Sequence, residues 1–368
     1  MEIKYNSIKQ DKSRVNGEKI KLCMVGAGSF AHYAHGPSLR LIAGHNRTVE
    51  LSGVADLDAG TAADFAEEFG FRHSYSDWRT MLDREMPDGV IVLTPVAKTS
   101  ETGCRILEAG FPVMLEKPPG SNVHEIQNLI IAAKGSGKGA MVAYNRRYSP
   151  ILKQLNRILK DECGEVLEHV RCDFFRNERF DHDFSTTAIH GIDTLSFLAG
   201  GAYSSVDFHY QRLRRECEIY NIFLNAVFAN NVSGLISFCP STGAAFERFT
   251  LTTRHWTFIA ETVIPGGGSD WPGRICVYKN GSLLRTEGYE ASPYGDNELY
   301  LAGYLPENIA FIENLRNGFT FVCDLETTLD EICITNALRH HEDRWYPYTD
   351  QQKYQFIPEL ELCQQTSF

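Results

Sequence analysis

From Ile20 onward the chain alternates short apolar runs with longer stretches of helical spacing, and turn-forming residues separate the two. Ile20–Val25, Val49–Ala55, 89–93, 113–115 and 140–144 read as strands. The 89–93 run is almost continuously apolar, as suits a strand covered on both faces. Between these runs, 29–42, 61–69, 78–83, 99–109 and 123–134 read as helices. Phe65 and Phe69 fall on one helical face, and Gly110 is a helix stop. Such a βαβα rhythm predicts a parallel sheet with right-handed crossovers.

After Pro150 the pattern changes. An amphipathic helix over 151–160 is followed by strand-like runs at 165–175, 219–228, 232–238, 249–260, 275–278 and 283–286. Asn230-Asn231 and Asn280-Gly281 carry the residues that tolerate positive φ in two-residue hairpins. Helices are expected at 187–198, 306–317 and 325–340, and the glycine-rich stretch 263–274 reads as a mobile loop. This half predicts one large, mostly antiparallel sheet with helices against it. The 368 residues are too many for one ordinary core, so two domains are expected. Their boundaries fall as an N-terminal tail (1–18), an α/β unit (19–146) and an α+β unit (147–368).

Composition narrows the function. A net charge of −11 argues against nucleic-acid partners, whose phosphates require a basic surface. No apolar run reaches the roughly 18–20 residues of a membrane helix, and the polar start of the chain lacks the apolar core of a signal peptide. The ten cysteines form no CxxC pair or regular spacing, so neither a metal site nor a disulfide framework is expected. Reduced thiols and a cytoplasmic location follow as expectations.

The chemistry lies in four short clusters. Gly26-x-Gly28-x-x-Ala31 follows a strand and opens a helix, the context in which glycines let a pyrophosphate approach the backbone. The fold class expected is therefore α/β, an N-terminal Rossmann dinucleotide-binding domain plus a C-terminal α+β domain. Ser29 and Phe30 sit at the helix start. Asp56 ends the second strand, 30 residues after Gly26, where a carboxylate can hold the adenosine ribose; this favours NAD over NADP. Thr94 and Pro95 end the 89–93 strand and border the same crevice. Glu116-Lys117-Pro118 follows a further strand end, so Lys117 is a candidate acid/base or hydroxyl clamp. His190 and Asp193 are three apart on a helix and share a face; Asp193 would orient His190 or bond a substrate hydroxyl. Read alone, the same pair is a structural histidine with a surface carboxylate. Arg146, Arg147, Arg176 and Arg179 would serve an acidic sugar or else stand solvated at strand ends.

These clusters, with Ala109-Gly110 and the 144–150 run Tyr-Asn-Arg-Arg-Tyr-Ser-Pro, resemble the Gfo/Idh/MocA oxidoreductase family over nearly the whole chain from Lys19. The resemblance implies NAD(P)-dependent hydride transfer to or from a sugar, polyol or derivative. It also implies a homodimer or homotetramer formed through the C-terminal sheet. It makes Lys117 and His190 the catalytic pair and places Asn145 and Arg147 near the substrate. Two positions depart from the pattern. Thr186 stands where relatives often carry Asp four residues before the His, and Thr99 stands where a His often follows Thr-Pro. Asp183, seven residues before His190, would replace the missing carboxylate if the helix reached it; otherwise Ser185 and Thr187 would cap the helix and leave Asp183 in a loop. Two further readings stay open: glycoside cleavage through transient oxidation, and a non-catalytic sensor of dinucleotide and sugar.

Overall fold

The computed structural model describes residues 19–181, 183–213, 219–264, 272–318 and 325–347. The expected tail and most of the glycine-rich 263–274 stretch lie outside these residues.

Six parallel strands form the first sheet: β1 (Ile20–Val25), β2 (Val49–Ala55), β3 (His73–Tyr75), β4 (Gly89–Val92), β5 (Val113–Glu116) and β6 (Ala140–Ala143). Their order is β3-β2-β1-β4-β5-β6, so the strand order reverses between β1 and β4. Ligands of open α/β sheets sit at that reversal, outside the carboxyl ends of the strands. The crossovers include α1 (Gly36–His45), α2 (Ala59–Phe69), α3 (Trp78–Glu85), α4 (Val96–Glu108) and α5 (Val123–Ser136). Asp58, Asp77 and Asn122 cap α2, α3 and α5 by accepting backbone N–H bonds in the first turn. A π-turn, Ala31–His35, precedes α1, with the Gly36 N–H bonded to the Ala31 carbonyl. Pro37 explains it: proline lacks the N–H an α-helix would use there, and a wider turn accommodates the break.

The second sheet has nine strands: β7 (His169–Phe175), β8 (Tyr203–Arg212), β9 (Tyr220–Phe228), β10 (Ser233–Cys239), β11 (Phe246–Thr252), β12 (Trp256–Thr262), β13 (Arg274–Lys279), β14 (Ser282–Glu287) and β15 (Arg344–Trp345). The order is β14-β13-β12-β11-β7-β10-β9-β8-β15, and every pair is antiparallel except β7 with β10. Burial alternates along β9, β11 and β12, so one face is packed and the other is open. Helix α6 (Pro150–Ile158) lies on β12, and α7 (Ser185–Ala199) lies on β7 and β10. A short helix α8 (Glu298–Leu301) leads into α9 (Tyr304–Asn317), and α10 (Leu325–Arg339) follows. These late helices return to the first sheet: α9 packs on α1 and α10 on α5, and a Cβ at Gly89 would meet the side chains of Leu315 and Phe311.

Three differences from the sequence reading have local causes. The 249–260 run is two strands, because Thr253 breaks it: its hydroxyl accepts the Trp256 N–H and donates to Glu165. Strand β8 escapes the apolar pattern because its outward positions are Ser, Asp, His and Gln. Strand β3 has only three residues, too few to show a period.

Candidate active site

At the end of β1 the chain turns on Gly26, whose φ is +98°. A Cβ there would stand 2.5 Å from the Leu93 carbonyl oxygen, so both the dihedral and the close approach of the loop after β4 require glycine. Asp56 ties the turn to β2: its carboxylate accepts the Ala27 N–H at 2.9 Å and the Asp58 N–H at 3.1 Å. Gly28 is different. A Cβ there would meet nothing within 4 Å, so its backbone borders open space. That space is a groove of about 620 Å³ lined by Ala27, Gly28, Ser29, His32, Tyr33 and Thr61. A helix start facing such a groove offers unpaired N–H groups and a partial positive charge to a pyrophosphate. Ala31 is buried behind it, and the Phe30 ring meets Tyr304 of α9 edge-on at 5.7 Å. Thr94 is held by Thr99, whose hydroxyl donates to the Thr94 carbonyl at 3.0 Å and buries itself in doing so.

Glu116 ends β5, and Lys117 follows on a cis peptide to Pro118. Burial presses the Lys117 ammonium below its ordinary pKa; Glu116 opposes this, and the charges of Arg146 and Arg179 reinforce it. His190, on α7, lines a cavity together with Thr187, Arg146, Arg176 and Arg179, walled by Phe174, Phe184 and Phe238. Its imidazole is held well below 6.5, by burial first and then by the charges of Lys117, Arg146, Arg179 and Arg176. His190 is therefore neutral near pH 7, with Nδ1 lacking a hydrogen-bond partner among the described residues. A neutral imidazole with a free ring nitrogen can accept a proton.

The remaining sequence candidates sort differently. Asp193 does not orient His190. It lies 2.5 Å from Arg147, which also sits 3.8 Å from Glu331 of α10, and all three are buried. Three residues of helix turn Asp193 toward this pair, away from the His190 cavity, which corrects the expected His–Asp partnership. Arg147 is correspondingly absent from that cavity's lining. Asn145 is buried too, donating from Nδ2 to the Ala302 carbonyl at 2.8 Å. Asp183 does not substitute for a carboxylate beside His190: α7 begins at Ser185, and Asp183 accepts the Ser185 N–H and hydroxyl and pairs with Arg339 at 3.0 Å. Thr186 donates its hydroxyl to the Asp183 carbonyl.

Glu247 and Glu307 were not singled out by sequence. Glu247, on β11, accepts Arg146 Nε at 2.9 Å and also binds Arg176. Burial raises its carboxyl, and the Arg146 and Arg176 charges with their hydrogen bonds more than reverse this, to about 2. A signal was available: Glu247 has the inward parity of Phe249 and Leu251, an odd place for an unpaired acid. Glu307, on α9, is fully buried with neither carboxyl oxygen bonded to a described residue. Burial and the Glu116 charge push its carboxyl well up, against the pull of Lys117. Among the described residues no group of three metal-binding side chains converges.

The fold joins a Rossmann-like parallel sheet, with a groove at its glycine turn, to a separate and mostly antiparallel sheet. Comparison with known proteins shows what the chain is similar to. Residues 20–144 match the sequence model of the oxidoreductase family with an NAD-binding Rossmann fold, GFO_IDH_MocA. The match covers the region of the first sheet, about a third of the chain. The chain is 27% identical over 192 residues to the 4-carboxy-2-hydroxymuconate-6-semialdehyde dehydrogenase of Sphingobium sp., covering 49% of this chain and 59% of that protein. It is 27% identical over 337 residues to the D-glucoside 3-dehydrogenase of Escherichia coli, covering 86% and 93%. In structure it is similar to the WlbA dehydrogenase of Chromobacterium violaceum, solved with NADH and UDP-GlcNAcA. The TM-score is 0.69 at 20% identity, covering 93% of this chain and all of that one.

Proposed function

We propose that the protein is an NAD-dependent oxidoreductase that moves hydride between nicotinamide and a carbinol or keto carbon of a sugar, polyol or derivative. The observation that carries this is a neutral His190 that lines a cavity within electrostatic reach of Lys117, its Nδ1 without a hydrogen-bond partner among the described residues. The open backbone at Gly28 and the groove around it fit a pyrophosphate, and Asp56 at the end of β2 is suited to a ribose and repels a 2′-phosphate. When bound, NAD supplies the hydride acceptor. Lys117 donates a hydrogen bond to the substrate hydroxyl and stabilises its developing alkoxide, and His190 takes the proton. The proposed division of labour puts the cofactor on residues 19–146 and most substrate contacts from Arg147 onward and on Arg146. Named dehydrogenases among the relatives support the reading.

We also propose that copies pair through the open face of the nine-stranded sheet, as dimers or tetramers. A cytoplasmic location is supported by the described cysteines, all free thiols, and no helix among the described residues is long and apolar enough to cross a membrane.

The test is nucleotide binding followed by turnover. NAD is expected to bind more tightly than NADP, and a panel of sugars and polyols is expected to yield NADH. His190→Ala and Lys117→Ala should each lower kcat by about 10²–10⁴-fold with NAD affinity unchanged. Glycoside cleavage without net NADH would replace this reading with the transient-oxidation one. Tight NAD binding without turnover of any sugar would favour a sensor.

A further inference from the structure

We propose that the substrate is a sugar acid, a polyhydroxy compound whose carboxylate is held by Arg146, Arg176 and Arg179 opposite His190. The inference rests on the oxidoreductase reading for the position of the reacting hydroxyl, and on charge and geometry for the acid.

Three guanidiniums line the cavity, whose free volume of about 20 Å³ takes a carboxylate and leaves the rest of the sugar outside it. Among the described residues, the carboxylates that answer them are two: Glu247, shared by Arg146 and Arg176, and Asp181, which accepts Arg179 Nε at 3.0 Å. One positive charge is left over, and Lys117 with its neighbour Glu116 does not change the balance. Arginine cannot shed a proton to relieve the excess as lysine or histidine can. Donors are left over as well. Arg176 Nε is buried with no acceptor among the described residues, and Arg146 uses only Nε and Nη2 on Glu247. A buried donor without an acceptor carries a desolvation cost that an anionic ligand would remove. The aromatic walls Phe174, Phe184 and Phe238 lower the local dielectric and strengthen that attraction.

One unit of excess charge matches a carboxylate monoanion better than a phosphate dianion, which would leave a buried negative charge. An anion here would also serve the chemistry. His190 is depressed by the same three arginines, so neutralising them returns its imidazole toward the range of an effective base. The acid would then be both anchor and activator.

The experiment uses the NAD-saturated protein and matched sets in the gluco, galacto and manno configurations: uronate against aldose, aldonate against polyol, and hexose 6-phosphate. Binding is read by calorimetry and turnover by NADH absorbance. One acid should bind at least about tenfold more tightly than its neutral partner, and Arg179→Gln should shrink that ratio with NAD affinity unchanged. The kcat profile should show its base limb above that of kcat/KM. A neutral sugar binding as well as its acid, a phosphate ester binding better, or no ligand binding at all would overturn the inference. The two readings separate. Acid-selective binding without NADH keeps the anion site and sinks the dehydrogenase, and rapid oxidation of neutral sugars does the reverse.

Discussion

Arg146 and Arg147 are neighbours on one short turn, yet they anchor two buried charge clusters of opposite stoichiometry. Arg147 meets two acids, Asp193 and Glu331. Arg146 shares one acid, Glu247, with a second arginine, Arg176. The first cluster can balance itself. Burial and the charge of Asp193 push Glu331 up to about 8, against the pull of Arg147, so the cluster keeps a proton and closes neutral. The second has no such recourse, because guanidinium does not titrate in the accessible range. A cluster with excess acid is complete as folded and reads as structure, welding α7 and α10 to the turn. One with excess arginine is complete only with an anion, and it is the one that faces the His190 cavity.

The largest effect expected is from Glu247→Gln. It leaves two buried guanidiniums facing each other without their carboxylate, and breaking such a pair costs about 3–5 kcal/mol of stability. The linkage sign agrees. The folded Glu247 pKa of about 2 lies below its ordinary 4.5, so its contribution is present above pH 4.5 and lost as pH falls toward 2. Chemical denaturation of wild type and variant at pH 7 and pH 4 measures both. If the variant were as stable as wild type at pH 7, Glu247 would not be the keystone of the arginine cluster.

These clusters also mark where sequence stops being informative. The parallel sheet was legible because strands covered on both faces are continuous apolar runs, and β1 and β2 were read to the residue. The glycine turn was legible because only glycine satisfies the dihedral and contact at position 26. Lys117 and His190 stood out through short local patterns. The partners of Arg146 and Arg147 were not legible, because Glu247 and Glu331 lie on β11 and α10, far along the chain, and nothing local says which acid a buried arginine will meet. His190 with Asp193 misled for the same reason: helix spacing gives a shared face, but the neighbouring element decides what each side chain touches.

A smaller effect, with the opposite pH signature, is expected from Glu331→Gln. The folded pKa of about 8 exceeds the ordinary 4.5, so this group's contribution is full below pH 4.5 and is lost as pH rises through 8. Glutamine keeps the shape and the neutral state without the proton. The variant should lose less stability than wild type between pH 5 and pH 8.5. Melting curves across that window check it. A variant with the wild-type slope would mean that Arg147 holds both acids ionised, and the contrast between the two clusters would collapse.

The smallest stability effect should come from Arg179→Gln, and its smallness is what makes it useful. Arg179 pairs with Asp181 with its side chain 43% exposed, and such pairs contribute little to folding. The variant should therefore melt within about 0.5 kcal/mol of wild type. Arg179 still lines the His190 cavity and helps to depress the imidazole. Removing it should move the base limb of kcat/KM upward in pH while leaving the fold alone, which neither Glu247→Gln nor Glu331→Gln can do. A large loss of stability would make Arg179 part of the scaffold and shift the excess charge onto a purely structural cluster. An unmoved pH profile would mean that its charge does not reach His190, and only Arg146, Arg176 and Lys117 would remain to set the imidazole's state.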